Sequence, residues 1–325
     1  MMKSWLTKYL LVSVQVFSLA GPALAQTTLK YAFVNPMNSH FGAAATAFKE
    51  SVEADSQRRI KIDIFPGGTL GGEREIVESL QLGTVDLAMT STSVVGNFVP
   101  ELLVFDVPFL FRDASHARHV VDGPIGQQIL AKFPARGLLG LGYGENGFRH
   151  LTNNKREVRE PSQIAGLTIR TMENPIHLAA FSQLGARPTP IPWAELYTAL
   201  QGGVVDGEEN PLSNILTAKL FQVQKYLSLT GHVYAPTVIT IAPSTWSKLS
   251  APDKKIIKDA AAKAIVAQRQ KVEELESDGV KELTKAGMVV NDVDKPRFLE
   301  VLKPAYVKFS QQFGEKTLEA IRETK

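Results

Sequence analysis

The stretch Glu75-Ile-Val-Glu-Ser-Leu-Gln-Leu-Gly-Thr-Val-Asp86 decides how the chain is read, because its pattern occurs twice. Glu195-Leu-Tyr-Thr-Ala-Leu-Gln-Gly-Gly-Val-Val-Asp206 repeats it as E-x4-L-Q-x-G-x-V-D. In each copy a helical run ends at a glycine and a strand follows at once. The implied architecture is two α/β halves of similar plan, with chance convergence on a common helix-glycine-strand unit as the alternative.

The flanking sequence fits that plan. Leu29 to Val34 reads as a strand, Gly42 to Ser56 as a helix with Ala44, Ala47, Phe48 and Val52 at helical spacing, and Ile60 to Phe65 as an alternating strand. This β-α-β rhythm predicts a mainly parallel sheet flanked by helices. The 325 residues suit two domains of ordinary size. From Lys254 to about Ala286 the chain is rich in Ala, Lys, Glu and Gln, which predicts one long helix, kinked or interrupted at Gly279 and long enough to brace both domains.

Residues 1–25 read as a signal peptide. Lys3 and Lys8 mark a charged start, an apolar run follows from Tyr9 to Leu19, and Ala23 and Ala25 supply the small residues a signal peptidase accepts. Cleavage is expected after Ala25. The apolar run is shorter than the roughly 20 residues of a spanning helix, so no stable membrane insertion is expected. Cys is absent, which excludes disulfides and thiolate chemistry. The formal charge falls from +3 to +1 once Lys3 and Lys8 are set aside, so nothing points to a nucleic-acid partner.

Enzyme signatures are missing: there is no phosphate-binding G-x-x-x-x-G-K-[ST], no G-x-S-x-G elbow and no H-E-x-x-H. His116 and His119 lack a third ligand nearby, so neither a metal nor a cofactor is expected. Gly140 to Gly144 reads as a strand rather than a dinucleotide loop. Pro66 to Gly72 looks like a phosphate cradle, but Glu73 and Glu75 in the first turn of the next helix would repel an anion. Glu73 either complements the helix dipole or accepts hydrogen bonds from a ligand's hydroxyls.

Three polar clusters follow strand-like runs: 144–150, 169–175 and 205–211. Ligands of open α/β sheets bind beyond the carboxyl ends of strands, so Arg149, Arg170 and Asn210 are expected to converge. Each arginine taken alone reads better as a structural salt bridge. Together they suggest a carboxylate site, which a bidentate guanidinium matches.

From about Leu29 onward the chain closely resembles the DctP-like solute-binding components of tripartite ATP-independent periplasmic (TRAP) transporters. The resemblance rests on the blocks PGGTLGGERE (66–75), LQLGTVDLA (80–88), PFLFRD (108–113), ENGFRHLTN (145–153), GLTIRTMENP (166–175), PTPIPWAELYTALQGGVVDGEENPLSNI (188–215) and KYLSLTGHVYAP (225–236). It implies a two-lobed fold with a long helix bridging both lobes: lobe I from 26–147 plus 236–278, lobe II from 148–235 plus 279–325. It also implies a monomer in the periplasm that delivers a small organic acid to a membrane permease. By the same resemblance Arg170 forks the ligand carboxylate, Arg149 stands beside it, Asn210 completes the clamp and Trp193 walls the ligand. Glu73 and Ser91 meet the ligand's far end. Ser91 and Val94 depart from the sialate-binding pattern. With His40 and Glu73 as polar partners, this favours a hydroxylated monocarboxylate such as a hexuronate over a C4-dicarboxylate. The competing readings are an exported enzyme acting on acidic sugars through Glu73 and His40, and a ligand-sensing subunit of a receptor.

Overall fold

The computed structural model describes residues 26–325; the expected leader and its cleavage site lie outside them. Nine strands form one sheet: β1 (Thr27–Ala32), β2 (Ile60–Phe65), β3 (Leu87–Ser91), β4 (Leu139–Asn153), β5 (Thr168–Thr171), β6 (Arg187–Pro190), β7 (Gly207–Asn210), β8 (Tyr226–Ile241) and β9 (Val289–Asn291). Their order is β2-β1-β3-β8-β4-β7-β5-β6, with β9 also on β8. The pairs β1–β2, β1–β3, β5–β6, β5–β7 and β8–β9 are parallel. Between the two parallel groups run β4 and β8, of 15 and 16 residues, antiparallel to each other and to β7 and β3 respectively. Three register shifts interrupt the β4–β8 ladder, at Gly140/Gly142, Glu145/Gly147 and Arg149/Leu151. Such bulges bend a strand where one half of the sheet passes into the other.

The repeated motif plays one structural role in both halves. The two copies lie on α2 (Glu73–Leu82, after α1, His40–Asp55) and on α4 (Trp193–Gln201, after α3, Pro175–Gln183), and lead into β3 and β7. Gly83 and Gly203 are both left-handed, with φ of 74° and 68°. Leu80 and Leu200, and likewise Val85 and Val205, are buried. Asp86 Oδ2 accepts the Lys30 N–H at 2.8 Å, and Asp206 Oδ2 accepts the Thr168 N–H at 2.8 Å. Each aspartate therefore satisfies the last backbone donor before its own strand begins pairing, at Tyr31–Leu87 and at Ile169–Gly207.

After α5 (Leu212–Thr217), the chain's long helix, α6, runs from Ala251 to Lys285. Ser250 caps it by accepting the Asp253 N–H at 3.2 Å. Ile257, Ala260, Ala261 and Ala264 join a core with Tyr31, Phe48 and Ile62, whereas Leu283 joins a second core with Leu212, Leu227 and Met288. One helix thus braces both halves. The interruption expected at Gly279 is absent, because the glycine serves packing. A Cβ there would meet Leu212 Cβ and Cδ1 of α5, each at 2.9 Å.

Gly279→Ala weighs these effects against each other. Helix propensity favours alanine by about 1 kcal/mol, whereas overpacking costs about 1–3 kcal/mol. We expect a net fall in unfolding free energy, read from urea denaturation. A gain in stability would mean that α5 yields and the close packing is not a constraint.

Candidate ligand-binding site

A small cavity with about 300 Å³ of empty space lies between the two halves of the sheet. The first half contributes Val34 and Asn35 after β1, Phe41 from α1, Glu73 at the start of α2 and Ser91 at the end of β3. The second contributes Arg170 from β5, Met172, Trp193 at the start of α4, Asn210 at the end of β7 and Asn214 from α5, while Asn146 and Arg149 come from β4. All but Glu73 and Trp193 are buried, so the cleft is shut.

Six of the seven residues singled out in the sequence therefore share one cavity. The seventh, His40, lies behind it: its Nε2 contacts Asn146 Oδ1 at 2.9 Å, and burial lowers its pKa to about 4, so it is neutral. Asn35, Asn146 and Asn214 were not singled out, although two of them stand in the ENGFRH and PLSNI runs. Their signal is weak because asparagine at a strand or helix end is common as a cap. His116, considered for a metal, is spent on backbone: Nδ1 accepts the Arg112 N–H at 3.1 Å and Nε2 donates to the Ile321 carbonyl at 2.7 Å.

The two arginines differ in their partners. Arg149 and Glu209 are both 0 % exposed and form a two-pronged pair, with Nε donating to Oε2 at 2.5 Å and Nη2 to Oε1 at 2.9 Å. Arg149 Nη2 also donates to the Glu209 carbonyl and to Asn210 Oδ1, the latter at 3.3 Å. Burial would raise the Glu209 carboxyl, but Arg149 and His177 hold it well below the usual carboxylate range. His232 Nε2 lies 3.1 Å from Glu209 Oε2 and His177 Nδ1 3.6 Å from Oε1. Arg149 is thus chiefly a structural ion pair, with only Nη1 left unpartnered toward the cavity it lines.

Arg170 has no such partner. Its Nε donates to the Ile191 carbonyl at 2.8 Å, its buried Nη1 makes no hydrogen bond, and no carboxylate pairs with it among the described residues. Burial, reinforced by Arg149, lowers its pKa to about 10, which still leaves it charged at neutral pH. Across the cavity Glu73 Oε1 accepts the Ser91 N–H at 2.6 Å, while Ser91 Oγ is unpartnered. Burial raises the Glu73 carboxyl, opposed by that hydrogen bond and by the two arginines. Among the described residues lining the cavity the one hydroxyl, Ser91 Oγ, has no hydrogen-bond partner and so no base beside it.

Of the three polar clusters expected to follow strand-like runs, 169–175 begins inside β5 and runs past its end, whereas 144–150 lies within the antiparallel β4. Nor does an apolar run form the third strand. The polar segment Gly207-Glu-Glu-Asn210 is itself β7 and is wholly buried.

Two halves of an α/β sheet braced by one helix, and closing on a small polar cavity, define a solute-binding protein. The chain belongs to the bacterial extracellular solute-binding proteins of family 7, the DctP family, whose family model matches residues 31–312. It is 47 % identical over 301 residues to a solute-binding protein of Verminephrobacter eiseniae, covering 92 % of this chain and 90 % of that one. It is also 50 % identical to a TRAP periplasmic solute-binding protein of Polaromonas sp. JS666 bound to D-erythronate, with a TM-score of 0.91 and coverage of 92 % and 99 %. A TRAP periplasmic solute-binding protein of Bordetella, with density attributed to pantoate, is likewise 50 % identical, with a TM-score of 0.90 and coverage of 92 % and 100 %. The protein is thus a periplasmic solute-binding protein of the TRAP class and not an enzyme, which removes the catalytic reading of Glu73 and His40.

Removing one partner of a fully buried ion pair costs about 3–5 kcal/mol. Glu209→Gln keeps the shape but leaves Arg149 uncompensated, so unfolding free energy in urea is expected to fall by that amount. A loss below about 1 kcal/mol would show that Arg149 is solvated in some other way.

Proposed function

We propose that this protein, exported by cleavage after Ala25, captures a small hydroxylated monocarboxylate and delivers it as a monomer to the membrane permease of a TRAP transporter. The observation that carries the reading is Arg170: buried, charged and without a carboxylate partner inside a shut cavity. Burying an unpaired charge is costly, and a ligand carboxylate supplies the missing anion in the planar geometry a guanidinium matches. Arg149 Nη1 and Asn210 stand ready to complete the clamp, and Trp193 walls the ligand body.

At the other end Glu73, Ser91 and the asparagines offer acceptors and neutral donors but no second cation. That set suits hydroxyl groups better than a second carboxylate. His40 contributes through Asn146 rather than by contact. Hexuronates remain within the favoured class, and open-chain acids join it, since the similar proteins of Polaromonas and Bordetella carry erythronate and density attributed to pantoate. C4-dicarboxylates are the alternative. Lobe I, 26–147 with 236–278, closes over lobe II, 148–235 with 279–325, about the long strands and α6. Closure expels water, which strengthens the ion pair and also incurs its desolvation cost.

Calorimetric titration with D-erythronate, D-glucuronate and succinate tests this. Truncation of one partner of a desolvated pair costs about 2–5 kcal/mol, so Arg170→Ala should lose tens to thousands-fold in affinity for the acid that binds best. Arg170→Lys keeps the charge without the fork and should fall between the two. Wild-type affinity in Arg170→Ala would overturn the clamp, and tightest binding of succinate would overturn the monocarboxylate preference.

A further inference from the structure

Glu208 neighbours Arg170 across the sheet and has no part in the clamp of Arg170, Arg149 and Asn210. It is fully buried in β7, opposite Thr152 of β4. Both its oxygens meet uncharged groups: Oε1 lies 2.7 Å from Thr152 Oγ1, and Oε2 accepts from Asn210 Nδ2. The charged groups facing it are Arg170 from β5, Arg149 from β4 and Glu209 beside it on β7, and none forms an ion pair with it among the described residues. The remaining neighbour, Gln224, is neutral.

The proton count around Thr152 decides the state of this carboxyl. A threonine hydroxyl carries one proton, and here it has two oxygen neighbours, Glu208 Oε1 at 2.7 Å and Gln224 Oε1 at 2.9 Å. The Gln224 amide is oriented by its Nε2, which donates to the Val223 carbonyl at 2.8 Å, so its oxygen is the atom that faces Thr152. If Glu208 were ionised, two acceptors would compete for one proton, and one close oxygen-oxygen contact would have none, at a depth where bulk solvent does not relieve it. With the proton on Glu208 Oε1 the chain closes. Glu208 donates to Thr152 Oγ1, Thr152 donates to Gln224 Oε1, and Glu208 Oε2 remains a carbonyl acceptor for Asn210. That last bond also orients Asn210, turning its Oδ1 toward Arg149 Nη2 and Asn214 Nδ2.

We propose that Glu208 is a neutral carboxylic acid in the closed protein, and that capture of an anion at Arg170 is coupled to uptake or retention of its proton. Protonated, Glu208 leaves the Arg170 charge free for the ligand; ionised, it competes with the ligand as an anion. The inference rests on the proposed carboxylate contact of Arg170. Burial raises the Glu208 carboxyl to about 7, against the opposing effects of Asn210, Thr152 and Arg170. A bound anion cancels the Arg170 opposition, so the complex holds the proton more tightly than the free protein. By linkage, affinity is then full at low pH and falls as pH rises through the neutral range, by up to about tenfold per unit for one proton.

Titration of the mature protein with D-erythronate between about pH 6 and 9, where that acid stays ionised, tests the coupling. Wild type should weaken across this range, with a heat of binding that depends on the ionisation enthalpy of the buffer. Glu208→Gln places an amide donor toward Thr152 and a carbonyl toward Asn210, so it should keep the low-pH affinity, lose the pH dependence and take up no proton. A flat wild-type profile without proton uptake overturns the proposal, as does a Glu208→Gln variant that keeps the wild-type profile. Loss of more than about tenfold in the affinity of that variant at low pH does the same. Arg170→Ala separates the two readings, since binding that depends on Arg170 but ignores pH defeats only the proton coupling. Independently of any ligand, wild-type minus Glu208→Gln infrared difference spectra should hold a protonated-carboxyl C=O band near pH 6, and its absence overturns the neutral acid.

Discussion

Arg149 and Glu209 meet where neither side chain touches water, and that contact ties the long strand β4 to the short strand β7. Two charges taken out of water are tolerated only when each is fully matched, and Glu209 is matched several times over: by Arg149 in a fork, and by His177 and His232. The consequence falls on the neighbouring arginine. With Glu209 committed to Arg149, Arg170 lies among buried groups with no anion of its own. The cavity beside it is therefore electrostatically incomplete, which is the physical ground for reading it as a site for an anion rather than as a gap in the core.

His177 extends the same network away from the cavity. Its Nε2 lies 3.1 Å from Asp106 Oδ1, and Asp106 in turn accepts from Ser93 Oγ at 2.5 Å and from Asn174 Nδ2 at 2.9 Å. Burial would lower the His177 pKa, but Glu209 and Asp106 raise it to about 9. Ser93 and Asp106 follow β3 in one half of the sheet, whereas Asn174 and His177 follow β5 in the other. A continuous chain of polar contacts from Arg149 through Glu209, His177 and Asp106 to Ser93 and Asn174 thus joins the two halves of the sheet.

Much of this was legible in the sequence, for physical reasons that differ from residue to residue. The doubled E-x4-L-Q-x-G-x-V-D pattern was readable because each position has a local role, as a buried leucine, a left-handed glycine, a buried valine or an aspartate that accepts a strand N–H. Arg149, Arg170 and Asn210 were readable as a group because charged and amide side chains beside apolar runs need partners. By contrast β7 was not readable as a strand, since Gly-Glu-Glu-Asn has neither alternation nor β-branched residues. It is a strand because its neighbours β4 and β5 already offer open edges and its carboxylates find partners there. Gly279 read as a helix breaker because propensity is local, while its actual role depends on Leu212, far away in the chain.

The sequence by itself determined the class of the protein: two α/β halves of like plan, a bracing helix, and two arginines with an asparagine near strand ends. Local patterns carry that information because periodicity, capping and turn chemistry act over a few residues. What only the tertiary structure decided is how charge is shared among those residues. Nothing in the spacing separates Arg149 from Arg170, yet one is paired with Glu209 and the other is not. Nothing local distinguishes Glu208 from Glu209, yet one lies among neutral donors and the other among cations. Ionic state depends on burial and on which groups face one another across strands distant in sequence, and those are properties of the folded sheet.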